Sequence, residues 1–330
     1  PGEINMSPMS PSSVQLKIPG RKYGKPVPMT EEDIQDVIRR FVFTAKVARE
    51  SGFDGIQLHS AHGYLLSQFL SPDINQRTDA WGGTIENRTR IHLEIIKRCR
   101  EEVGSDFAIS VKMNSADFQK GGFSSEDSIE VAKILSNSGI DNLEISGGTY
   151  EQPRLLGLDK VSINPERSEN RRESTVAREA YFLSYAEKIA EAVDIPLMVT
   201  GGFRTKEGME AALGDGACQI VGVGRPLCAN PYAIKELLNG EINQLPKFEK
   251  TLSKILLMPC LYMHFYIEHN FGHHINVATP KDPATSKFNQ SVYNFWFTSV
   301  FWQYINAWKT QVLILKRNKY KRNYSVNSYT

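Results

Sequence analysis

Short apolar runs alternate with longer amphipathic segments along most of the chain from Thr30 onward. The runs have the length of β-strands, and the segments between them repeat apolar residues at helical spacing, as in successive βα units on a parallel sheet. The predicted strands cover residues 53–59, 107–112, 142–145, 195–200 and 218–223, and the predicted helices cover residues 30–51, 84–103, 124–138, 176–193, 205–213 and 231–238. The pattern predicts an α/β fold with five strands, each followed by a helix.

Several helix boundaries are marked by local chemistry. Thr30 precedes three acidic residues, as an N-cap followed by an acidic first turn does, and Gly52 ends that helix.

The five predicted strands fit an open doubly wound sheet, and they also fit a (β/α)8 barrel that lacks three units. Periodicity alone does not choose between the two.

Two stretches depart from the repeating pattern. Residues 149–173 form a long polar segment that we interpret as a lid or substrate loop. Beyond Gln244 the apolar run 256–267 is too short to span a bilayer, and the aromatic-rich run 293–315 is interrupted by polar residues. The basic cluster 316–322 suits contact with an anionic membrane surface, although a docked or poorly ordered tail is the simpler interpretation. We therefore divide the chain into a barrel part, 1–245, and an atypical C-terminal extension, 246–330.

Composition narrows the classes of protein. The chain has 39 Lys and Arg against 37 Asp and Glu, so its net charge gives no reason to expect nucleic acid as a partner. Its four cysteines are widely spaced without a C-x-x-C pattern, which favours reduced thiols and a cytoplasmic location. No secretory or transit signal is visible, and a start at Pro1 suggests a fragment.

Candidate chemistry follows the first predicted strand. His59, His62 and Tyr64 lie just past its C-terminal end, which is where barrel enzymes have their active sites. The two imidazoles could donate hydrogen bonds to one carbonyl oxygen while the phenol supplies a proton. A zinc site would need a third ligand that no nearby motif provides, and two purely structural histidines are a further alternative.

Two glycine clusters follow the last two predicted strands. Gly201 and Gly202 join a strand to a helix, and Gly224 precedes Arg225 after the next strand. Glycines allow backbone N–H groups to approach a phosphate closely, and an arginine adds positive charge. Either cluster alone suits an ordinary turn, but together they predict a phosphate site.

Longer motifs carry a specific resemblance. The segments concerned are 59–72, 75–79, 81–88, 111–118, 147–151, 178–182 and 224–227, and the match extends from about Ser10 to Glu241. Through these segments the chain resembles the Old Yellow Enzyme family of NAD(P)H:flavin oxidoreductases, and most closely a subgroup found in fungi and bacteria.

The resemblance implies a (β/α)8 barrel that binds FMN noncovalently, takes hydride from NAD(P)H and reduces the C=C bond of small α,β-unsaturated carbonyl compounds, enones or enals. It implies that His59 and His62 bind the substrate carbonyl and that Tyr64 protonates the α-carbon. Lys112 matches the cation that faces the flavin, where many members have arginine. The FMN phosphate contacts correspond to Gly202, Gly224 and Arg225.

The resemblance also exposes a gap. The segments that match correspond to strands four to eight of the family's barrel, so we expect an incomplete barrel in which about the first three βα units are absent. A noncatalytic product that cannot hold FMN therefore remains an alternative, and a flavin-free aldolase or isomerase with the same phosphate site is another. The physiological substrate, the choice of NADH or NADPH and the oligomeric state cannot be predicted from these motifs.

Overall fold

The architecture is a parallel sheet with helices on one face. A computed structural model describes residues 7–17, 23–149 and 182–246. Two short strands, β1 (Met9–Ser10) and β2 (Val27–Pro28), pair in parallel with each other. The other five strands form one parallel sheet in sequential order: β3 (Gly55–Ser60), β4 (Ala108–Asn114), β5 (Asn142–Ser146), β6 (Leu197–Thr200) and β7 (Ile220–Gly222).

Helices connect these strands in the order predicted from the sequence. They are α1 (Glu31–Glu50), α2 (Leu65–Leu70), α3 (Ile85–Val103), α4 (Ser125–Ser136), α5 (Leu183–Ala190), α6 (Lys206–Gly214), α7 (Arg225–Ala229) and α8 (Ala233–Leu238). The predicted cap at Thr30 is confirmed, since its side chain accepts from the Asp33 N–H and the Asp33 carboxylate accepts from the Thr30 N–H. Local sequence therefore fixes where the long helices begin.

One face of the sheet is the hydrophobic core. Leu58, Val111, Leu143 and Leu197 are consecutive register partners across four strands, and each is at most 2% exposed. These side chains belong to one buried cluster that includes apolar residues of α1, α3 and α4. Because strand residues alternate between faces, the neighbouring positions must point the other way.

The opposite, inner face of the sheet is polar near its centre. Gln57 and His59 on β3, Ser110 and Lys112 on β4, and Glu144 on β5 share this face. All five strands are parallel, so their carboxyl ends meet at one edge. Residues at or just after the strand ends are thereby gathered into one region, although the chain separates them widely.

The structure differs from the sequence predictions in several elements. Four short elements were not predicted: the helices α2 and α7 and the paired strands β1 and β2. Helix α2 has six residues, α7 has five and each strand has two, which is too few to show a hydrophobic period. Within the helix predicted for 176–193, the structure describes α5. The predicted loop 149–173, apart from Thr149, and the predicted segments 256–267, 293–315 and 316–322 lie outside the described residues. Of the helices that are described, none is long and apolar enough to cross a membrane.

A buried histidine ties α3 to the strand that carries His59. The His92 ring is fully buried, and its Nε2 lies 2.6 Å from Ser60 Oγ. Burial lowers the pKa of His92 to about 4, because the apolar surroundings disfavour the charged imidazolium. In the unfolded chain the same ring has its ordinary pKa.

This difference predicts an acid-dependent loss of stability. Since folding lowers the pKa of His92, the unfolded chain binds a proton more readily, so the contribution present above about pH 6.5 is lost as the pH falls towards 4. Between about pH 7.5 and about pH 4.5, the free energy of unfolding should fall by about 2–3 kcal/mol less in His92→Gln than in the parent protein. Urea unfolding at the two pH values measures this difference. The exposed His59 offers a matched control, and an equal effect of His59→Gln would contradict the assignment to His92.

Candidate active site

Three aromatic rings converge where β3 ends. The chain leaves β3 after Ser60 and turns through His62 and Gly63, which both have left-handed backbone conformations with φ of 63° and 83°. Tyr64 then caps α2. The His59 ring lies 5.3 Å from the His62 ring and 4.8 Å from the Tyr64 ring, measured between centroids. The three side chains that the sequence singled out are thus brought into one cluster.

The turn is fixed by hydrogen bonds to the first residues of α2. The Gly63 N–H donates to Ser67 Oγ at 2.9 Å, and Ser67 Oγ donates to the Tyr64 carbonyl at 2.9 Å. Gln68 Nε2 donates to the Gly63 carbonyl at 2.8 Å. A left-handed conformation is costly for a residue with a side chain, so His62 depends on these and other contacts to hold it.

Two neighbouring strands hold His62 from the other side. Its backbone N–H donates to Asn114 Oδ1 at 3.1 Å, and its Nε2 lies 2.8 Å from Ser146 Oγ. Asn114 Nδ2 donates to Asp117 Oδ1 at 2.8 Å and to the Gly148 carbonyl at 3.1 Å. One buried amide therefore joins the ends of β4 and β5 to the histidine turn.

Burial and charge keep His62 neutral. The pKa of His62 lies well below its ordinary value because the ring is desolvated, and the positive charges of Lys112 and His59 act in the same direction. A neutral imidazole carries one N–H, so it can donate one hydrogen bond while it stays uncharged. The ring is therefore uncharged near neutral pH, and it can donate to a ligand through Nδ1 when Ser146 Oγ donates to Nε2.

Lys112 occupies the middle of the polar face and has an acidic partner. Its Nζ lies 2.9 Å from Glu144 Oε1, and the side chains of Lys112 and Glu144 are 18% and 5% exposed. Gln57 Nε2 donates to the other carboxylate oxygen of Glu144 at 2.8 Å. Lys112 and Glu144 are register partners on β4 and β5, so sheet pairing itself brings them together.

The glycine clusters lie at the ends of two adjacent strands, since Thr200 of β6 is the register partner of Gly222 of β7. Gly202 has φ of 95°, which a glycine adopts easily, and a side chain added at Gly224 would meet no atom within 4 Å. The buried Thr200 Oγ1 has no hydrogen-bond partner. Open backbone and a buried hydroxyl of this kind fit an oxygen-rich group such as a phosphate, and Arg225 begins α7 beside them.

Sequence reasoning missed four polar residues of this region. They are Gln57, Asn114, Glu144 and Ser146, which contact Lys112, His62 or each other. A signal was present for Glu144, because a carboxylate in the centre of an apolar strand is rarely buried without a partner. Within the described part of the chain, no three His, Cys, Asp or Glu side chains are grouped as metal ligands.

A parallel sheet with aromatic rings gathered at its carboxyl edge is the arrangement of an α/β enzyme site. A model of the NADH:flavin oxidoreductase / NADH oxidase family matches residues 3–241, and the chain belongs to this family. The family binds FMN and uses NAD(P)H as its hydride donor. Sequence analysis predicted this membership, and it is confirmed.

Among curated relatives, the NADH-dependent flavin oxidoreductase iccE of Talaromyces variabilis is 39% identical over 224 residues, which cover 67% of this chain and 52% of the relative. The chain spans about half the length of several curated relatives that it matches. A solved 2-naphthoyl-CoA reductase complex superposes with a TM-score of 0.62 at 29% identity, covering 72% of this chain and 34% of the other.

An old yellow enzyme homologue from Zymomonas mobilis superposes with a TM-score of 0.55 at 23% identity, covering 72% of this chain and 62% of that chain. At this identity the likeness shows the fold alone. It decides between the two architectures left open by periodicity, because these neighbours are (β/α)8 barrels and not open doubly wound sheets. The five strands of the larger sheet, β3 to β7, correspond to part of such a barrel.

The hydrogen bonds of Asn114 predict a measurable contribution to stability. Asn114→Ala leaves the His62 N–H and the buried Asp117 carboxylate without their amide partner, and should cost about 1–3 kcal/mol of unfolding free energy. Asn137→Ala is the matched control, because the exposed Asn137 bonds only to the Lys133 carbonyl of its own helix. Equal urea midpoints for the two variants would contradict this role of Asn114.

Proposed function

We propose that this chain is an FMN-dependent ene-reductase, which takes hydride from NAD(P)H and reduces the C=C bond of an enone or enal. The observation that carries the proposal is the cluster of His59, His62 and Tyr64 on the face of the sheet that also carries Lys112. Two hydrogen-bond donors and a phenol beside a cation are the groups that this reaction requires from the protein.

His59 and His62 bind the carbonyl oxygen of the substrate in this proposal. Hydrogen bonds to that oxygen withdraw electron density from the conjugated C=C bond and stabilise the negative charge that develops on oxygen. His62 is suited to this role because its lowered pKa keeps the ring neutral. Its contacts to Asn114 and Ser146 hold the ring in place, so little reorganisation is needed when the substrate binds.

Tyr64 supplies the proton for the α-carbon. The phenol ring lies against His59, and Tyr64 is held by its position at the start of α2. A general acid must lie within reach of the atom that it protonates. Substrate bound through its carbonyl to the two histidines would present its neighbouring carbon to the same side of the site.

Lys112, Gly202, Gly224 and Arg225 would hold the cofactor. Bound FMN supplies the hydride acceptor and donor of the reaction. Lys112 provides positive charge for the pyrimidine edge of the flavin, and Gly202, Gly224 and Arg225 bind its phosphate. The unpartnered Thr200 hydroxyl and the open backbone at Gly224 fit a phosphate at this end of the sheet.

The flavin-free alternative, a barrel aldolase or isomerase, is less well supported. An aldolase of the Schiff-base kind would need a lysine free to attack its substrate, and Lys112 Nζ is instead paired with Glu144 Oε1 at 2.9 Å. Reduced thiols also support our proposal of a cytoplasmic location, since Cys99 and Cys218 are buried and not paired in a disulfide.

Retention of flavin is the first test of the proposal. The 330-residue chain, purified in the presence of FMN and freed of excess flavin, should show the absorbance spectrum of bound flavin. Arg225→Ala should weaken FMN binding by about 10-fold or more through loss of a charged hydrogen bond to phosphate. A colourless parent protein would contradict the proposal and favour the noncatalytic alternative.

The role of Tyr64 predicts a separation of the two half-reactions. Tyr64→Phe should slow reoxidation of the reduced flavin by cyclohexenone by about 100-fold or more, while reduction by NADPH stays within about twofold of the parent. Stopped-flow absorbance of the flavin measures both steps. Tyr185→Phe, on α5, serves as a control outside the ring cluster. Equal losses in both half-reactions of Tyr64→Phe would rule out the assignment.

A further inference from the structure

Three charged or ionisable side chains form a row across the inner face of the sheet. His59, Lys112 and Glu144 are successive register partners on β3, β4 and β5. Lys112 is on the middle strand of the three, and its Nζ lies 2.9 Å from Glu144 Oε1. Glu144 is therefore the immediate electrostatic partner of the cation assigned to the flavin.

The Glu144 carboxylate is held by contacts to both of its oxygens. Oε1 pairs with Lys112, and Oε2 accepts from Gln57 Nε2 at 2.8 Å. Gln57 Nε2 also lies 3.2 Å from Ser110 Oγ on the intervening strand. These bonds fix the carboxylate relative to two strands, so the ammonium that it binds is fixed as well.

Stability alone does not account for a charged pair at this level of the sheet. The next register partner in the row is Met198 on β6, an apolar residue that is 9% exposed. The inner face thus accommodates an apolar side chain, and burying two charges costs desolvation free energy that their attraction barely offsets. A chemical use for the pair is the more economical explanation.

We propose that Glu144 is a positioning residue for Lys112, which orients its ammonium and partly offsets its charge, and thereby sets the relative affinity of the site for oxidised and reduced FMN. This inference rests on the proposed function. A cation near the flavin stabilises the anionic reduced form. A carboxylate 2.9 Å from that cation diminishes the stabilisation and so holds the reduction potential down.

The charge of Glu144 can be removed while its shape is retained. Glu144→Gln keeps a carbonyl oxygen for Lys112 but abolishes the negative charge. We expect the ratio of affinities for reduced over oxidised FMN to rise about 10-fold, which corresponds to an increase of about 30 mV in the two-electron potential. Dye-coupled spectrophotometric titration of the bound flavin measures this potential without turnover.

A matched control separates the site from general changes in charge. Glu130 also pairs with a lysine, Lys133, at 2.7 Å, but both side chains are exposed on α4. Glu130→Gln should leave the FMN potential unchanged. A potential that rises equally in both variants, or that does not rise in Glu144→Gln, would overturn the proposal.

The dependence on Lys112 gives a second measurement. Lys112→Met should lower the reduction potential, because it removes the positive charge and leaves the negative charge of Glu144. The double variant Lys112→Met/Glu144→Gln lacks both charges, so its potential should rise from that of Lys112→Met back towards the parent value. Glu144→Asp, which retains the charge but shortens the side chain, serves if Glu144→Gln does not fold. It should raise the ratio of affinities for reduced over oxidised FMN by less than 10-fold. An unchanged potential would count against the positioning role.

Failure of this inference can be told from failure of the proposed function. Flavin bound by the parent protein at a potential insensitive to Glu144 would overturn only the positioning role. Absence of bound flavin from the parent would overturn the proposed function and the inference with it.

Discussion

The register of the parallel strands is the constraint on which the site depends. Pairing β3, β4 and β5 in one register lines up Leu58, Val111 and Leu143 on the helix-covered face. The same register lines up His59, Lys112 and Glu144 on the other face. Because side chains alternate along a strand, a slip of one residue would turn the three apolar side chains away from the helices and place the ionisable ones in the apolar core. Burial of the core therefore also aligns the chemistry.

The histidine turn adds a second level of organisation beyond the end of β3. His62 adopts a left-handed conformation and contacts Asn114 at the end of β4 and Ser146 at the end of β5. Local sequence around the turn supplies the bonds to Ser67 and Gln68, but the backbone N–H and the ring of His62 are held by Asn114 and Ser146, more than 50 positions away. The geometry of the ring cluster is consequently a property of three strands and not of one motif.

The parts of the fold that could be predicted from the sequence are those with local causes. The cap at Thr30 and the apolar spacing of α1 and α3 act within a few residues, so they are legible in one segment. The lysine at 112 was recognised through a motif, whereas its partner Glu144 was not. Nothing in either segment specifies the cross-strand register that brings Nζ and the carboxylate together. The short helix α2 was missed for a related reason, since six residues form too few turns to show a period.

Lys112 connects the two halves of the proposed reaction through electrostatics. In the proposed reaction its positive charge would favour the anionic reduced flavin, and the same charge adds to the desolvation that lowers the pKa of His62. A histidine kept neutral in this way donates a hydrogen bond to the substrate oxygen but is a poor source of protons. In the proposal the proton comes from another group, the phenol of Tyr64, whose ring lies 4.8 Å from the His59 ring. In the proposed arrangement Glu144 moderates the effect on the flavin, because its carboxylate lies 2.9 Å from Lys112 Nζ. The division of labour between histidine and tyrosine in the proposed reaction thus follows from the burial of His62 and from the charge of Lys112.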